Sequence, residues 1–67
     1  MSETVKFWIE EFQGSDVTVI EEIEDVKCTI RNEELWVKGS HSKEEEERHL
    51  QNIAELKEYL EWLEEQR

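Results

Sequence analysis

The 67-residue chain has no proline, two glycines and one cysteine, and no long apolar run. Each shortage excludes something. With only Gly14 and Gly39 there is no glycine-rich loop to cradle a phosphate and no calcium loop of acids spaced about a glycine. Cys28 cannot form an intramolecular bridge, and its place in an alternating apolar run predicts a buried thiol. No apolar run approaches the roughly 18 residues of a membrane span, and no basic stretch followed by an apolar one opens the chain. A cytoplasmic protein without membrane contact is therefore expected. Basic residues are scarce as well: eight Lys and Arg are scattered among 19 Asp and Glu, which disfavours direct binding of nucleic acid.

Catalytic groupings are also missing. A nucleophile needs an adjacent base, and the only histidines, His41 and His49, lie far from Cys28 in sequence. Eight residues apart and without a second soft ligand, those histidines do not make a zinc site. Glu10 and Glu11 are a carboxylate pair, but neighbours on a strand point to opposite faces. No catalytic residue, metal or cofactor is expected, and the chain reads as a non-enzyme.

What the chain does have is charge. Its formal net charge is -11, beyond the magnitude of roughly 2 to 8 that keeps a small domain soluble. Such a surface repels itself and attracts basic partners over about 8–10 Å at physiological salt. A disordered acidic tail is poor in aromatics, whereas this chain is 36% hydrophobic and holds three Trp, one Tyr and two Phe. A folded single domain over 1–67 follows.

Two halves differ in period. From Thr4 to Lys38 apolar residues alternate: Val5, Phe7, Ile9; Val17, Val19; Val26, Cys28, Ile30; Leu35, Val37. That is strand patterning, with turn signals at 13–16, 24–25 and 31–33, and it predicts a four-stranded antiparallel β-meander over 4–38. After Gly39 the pattern becomes helical over 42–66: Ser42 and Glu45 fit a capping box, and Glu44 to Glu47 suit the positive end of a helix dipole. The expected fold is α+β, a sheet covered by one long C-terminal helix.

Ile53, Leu56, Leu60 and Leu63 recur at steps of three, four and three, and Leu50 and Tyr59 widen the stripe. A helix that only covered its own sheet would use that stripe and leave Trp62 exposed. Because interfaces concentrate Trp and Tyr, and a chain near 60 residues buries only about 60% of its unfolded surface, a homodimer is expected. Its interface would comprise Leu56, Tyr59, Leu60, Trp62 and Leu63.

Regularly spaced carboxylates can imitate the phosphates of duplex DNA, which carries one charge per about 1.7 Å of axis. On strands Glu22 and Glu24 would share a face, and on the helix Glu58, Glu61 and Glu65 would do so. The acidic run Ile20-Glu21-Glu22-Ile23-Glu24-Asp25, the pair Glu33-Glu34 and the helix from Ser42 to Arg67 resemble the small DNA-mimic proteins of bacteriophages. Within that family the chain is most like the Bacillus phage inhibitors of the nucleoid protein HU. The resemblance implies a host-takeover homodimer that occupies the DNA-binding surface of an HU-like protein in the host cytoplasm or nucleoid. Glu10, Glu21, Glu22, Glu24, Asp25, Glu33 and Glu34 are the acids expected to face that partner. Two alternatives stay open: an inhibitor of a polymerase or nuclease that uses a hydrophobic anchor, and a small assembly protein.

Overall fold

The chain is seen in a computed structural model that describes residues 1–39 and 42–67, and among them there is no strand. In place of the expected β-meander over 4–38 stand two helices, α1 (Glu3–Gln13) and α2 (Val19–Val37), followed by α3 (Lys43–Glu65). The fold is all-α, not α+β.

Local chemistry sets each helix start. Side-chain oxygens of Ser2, Thr18 and Ser42 accept from the backbone N–H of Val5, Glu21 and Glu45 at 3.2, 3.2 and 3.3 Å. Each cap satisfies an amide that has no partner within the helix, worth about 1 kcal/mol. Acids follow the caps, Glu3 on α1, Glu21 and Glu22 on α2, and Glu44 to Glu46 on α3, where the helix dipole favours them. At the end of α1 the Gly14 N–H returns to the Glu10 carbonyl at 3.1 Å.

The alternation that suggested strands loses to a longer period. Val19, Ile23, Val26, Ile30, Glu33 and Val37 recur at steps of four and three, and so do His49, Ile53, Leu56, Leu60 and Leu63 on α3. These are the seams of two helices packed along each other. On a helix, residues two apart diverge by about 200°, so when Val26 and Ile30 turn inward Cys28 turns out. Cys28 is exposed, contrary to the buried thiol expected of a strand. Phe7 and Leu35 are likewise left outside, at 57% and 60% exposure.

Packing is organised on α3. Its 23 residues rise about 1.5 Å each and account for the 37 Å length of the molecule. α2 runs antiparallel to it, because Glu22 meets Tyr59 near one end and Glu33 meets His49 near the other. α1 crosses the C-terminal half of α3, where Trp8 faces Tyr59 at 5.6 Å between ring centroids and Phe12 meets Trp62 edge-on at 6.2 Å. No Cα of α1 lies within 8 Å of one in α2, so both lean on α3 with a gap between them.

All three helices contribute to the core: Val5; Ile23, Val26 and Ile30; Ile53, Tyr59 and Leu63. The residues expected at a dimer interface are engaged within this one chain. Tyr59 and Leu63 are buried, and Leu56, Leu60 and Trp62 are half-buried against the core. Trp62, expected to be exposed beside the stripe, is covered because α1 lies over a flank of α3 that a sheet would have left open.

Candidate functional site

Helical geometry redistributes the acids singled out for partner binding. Glu22 and Glu24, two apart, no longer share a face. Glu22 turns toward α3 and its Oε2 accepts from the Tyr59 hydroxyl at 2.6 Å, whereas Glu24 is exposed. Glu33 and Glu34 also part: the Glu33 carboxylate meets His49 Nδ1 in the seam, while Glu34 lies outside with Lys57 Nζ at 3.9 Å. Glu10, Glu21 and Asp25 are exposed, Glu10 on α1 and the other two on α2. The expected set is therefore not one face; five of its members look outward and two are used to join helices.

Those two inward acids are the polar fixtures of the α2–α3 pair. Glu33 and His49 occupy seam positions where apolar residues would otherwise sit, and Trp36 stacks on the His49 ring at 3.7 Å between centroids. His41, the other histidine, lies outside the described residues. At the opposite end, burial pushes the Tyr59 hydroxyl well above the usual tyrosine pKa, and the hydrogen bond and negative charge of Glu22 push it further. Tyr59 is thus held protonated as a donor, and its hydrogen bond holds the Glu22 carboxylate in place.

The remaining acids form an open field. Glu22, Glu33, Glu55 and Glu58 are half-buried and all other Asp and Glu are exposed. Glu58, Glu61 and Glu65 do line one side of α3, as their spacing predicts, flanking a shallow recess with Met1 and Trp62. The terminal ammonium of Met1 approaches Glu58 at 3.7 Å, and Arg67 reaches Glu64 at 3.1 Å. Among the described residues no three His, Cys, Asp or Glu are grouped to hold a metal ion. None of the helices is long and apolar enough to cross a membrane.

A second concave feature lies on the other side of α1 from that recess, between α1 and α2. The gap between α1 and α2 is a groove of about 440 Å³, open to solvent. Trp8 and Phe12 of α1 form one wall, Val26 and Thr29 of α2 the other, and Leu56 and Tyr59 of α3 the floor. Ser15 and Val17 of the α1–α2 connection also line it. Every charged residue lining it is an acid: Glu11 from α1, and Glu22 and Asp25 from α2. Sequence reasoning missed the groove, and Glu11 and Trp8 with it. The available signal was the helical spacing of Val5, Trp8 and Phe12, masked by the alternation of Val5, Phe7 and Ile9.

Comparison of the chain with protein-family models, with curated proteins and with solved structures finds no match.

Proposed function

We propose that this chain is a binding protein that offers a fixed array of carboxylates to a basic partner and competes with nucleic acid for that partner's surface. The supporting observation is the combination of a net charge of -11 with helices that hold nearly all the acids outward. Acids three or four positions apart on a helix have Cβ atoms about 5–6 Å from one another, so the backbone sets their spacing before a partner arrives. A basic cleft built for phosphates meets in them a ready counter-charge. The strand-then-helix outline that suggested the HU inhibitors is absent, so charge geometry alone supports the reading. A basic nucleic-acid-binding protein, HU-like in its chemistry, is the partner it fits. No reaction is assigned to the chain.

Titration calorimetry against a purified HU-like protein tests this. Binding should be measurable at about 50 mM salt and weaken by an order of magnitude or more at about 200 mM, as complexes with DNA do. Replacing Glu21, Glu24 and Glu34 with Gln should weaken binding while changing stability by no more than about 0.5 kcal/mol for each exposed site. Salt-independent affinity, or full affinity in the triple variant, would contradict the proposal.

A further inference from the structure

A charged surface has no need of an apolar groove, yet the gap between α1 and α2 has aromatic walls and charged residues of one sign only. We propose that this groove docks a basic amphipathic helix of the partner, its apolar side on Trp8, Phe12 and Leu56 and its Lys or Arg side chains on the acidic rims. The shape argues for a helix: the groove has walls from α1 and α2 and a floor from α3, the setting in which the apolar face of an amphipathic helix is received.

The charge argues for a basic one. Glu11 stands on one rim and Asp25 on the other, so cations on both flanks of an incoming helix find a carboxylate. Glu22 adds a half-buried anion that is already positioned by the Tyr59 hydroxyl and lines the groove itself. A group fixed before binding forms its ion pair at lower entropic cost than a free side chain. A second copy of this chain is a poor occupant, since it would bring another -11 of like charge. The inference rests on the chain being a binder of basic proteins, but not on competition with DNA.

The test uses the full chain and two synthetic peptides of one leucine–lysine composition, one patterned as an amphipathic helix and one scrambled. Binding is followed by the Trp8 indole NMR signal and by peptide helicity. The amphipathic peptide should bind saturably and become helical, and the scrambled peptide should bind at least about tenfold more weakly. The paired change Glu11→Gln with Asp25→Asn should cost about tenfold or more in affinity, and the equally charge-reducing pair Glu44→Gln with Glu47→Gln should cost much less. Unchanged helicity of each variant confirms that its fold is intact. Equal binding of both peptides, or equal loss in both variant pairs, would overturn the groove while leaving the carboxylate-surface reading in place. Binding of neither peptide would also overturn the groove, and the HU-like titration then decides separately whether the wider reading fails.

Discussion

Tyr59 donates its hydroxyl to Glu22 across 37 residues of sequence, at 2.6 Å, and so ties the start of α2 to the last third of α3. The bond has a thermodynamic signature. Folding raises the Tyr59 pKa, first by burial and then through Glu22, so the folded state holds this proton more tightly than the unfolded chain does. The contribution is complete below the ordinary tyrosine value of about 10 and is lost as pH rises from there through the folded value.

Chemical denaturation from about pH 8 upward should therefore show this contribution level to about pH 10 and falling above it, and Tyr59→Phe should flatten part of that fall. At neutral pH the same substitution should cost about 1.5 kcal/mol, the usual worth of a hydrogen bond to a charged group. An identical pH profile in the variant would mean that Tyr59 does not carry the effect.

Glu33 and His49 make a second prediction, because a polar pair sits where the α2–α3 seam is otherwise apolar. Removing one partner strands the other: Glu33→Ala and His49→Ala should each destabilise by about 1–3 kcal/mol in urea melts. Replacing both with Leu extends the apolar seam and should give a chain at least as stable as the parent. A double-leucine variant less stable than either single alanine variant would show that the pair contributes more than seam filling.

The way these residues pair also explains how far the sequence could be read. α3 was legible because Ser42 caps it and no competing period interrupts Ile53, Leu56, Leu60 and Leu63. α1 and α2 were not, because Val5, Phe7 and Ile9, and Val26, Cys28 and Ile30, satisfy an alternating pattern as well as supplying helical positions. Two cues favoured the helix: the stretch from Val17 to Lys38 contains no Gly or Pro to turn a chain, and Thr18 with Glu21 repeats the spacing of a capping box. The acidity of the surface was plain in the composition. Which acids turn inward was not, since Glu22 and Glu33 differ from Glu24 and Glu34 only by their place on a helix whose existence had been missed. The groove depends on how far apart α1 and α2 stand on α3, a tertiary quantity that no local pattern encodes.

Cys28 offers a direct check on the helical reading of the first half. Exposed on the outer side of α2, it should react with a thiol reagent in the native protein within about an order of magnitude of its rate in denaturant. A thiol protected until the chain unfolds would contradict its place on the outer side of α2.

Displacement of DNA tests the functional account most directly. With a labelled duplex bound to a purified HU-like protein, added chain should release the duplex in proportion to its concentration and should not bind the duplex itself. The expected gel shows free duplex growing as the protein–DNA band fades, with release suppressed as salt rises from about 50 to 200 mM. A stable band containing the chain, its partner and the duplex together would place the acidic surface away from the DNA site and contradict the account.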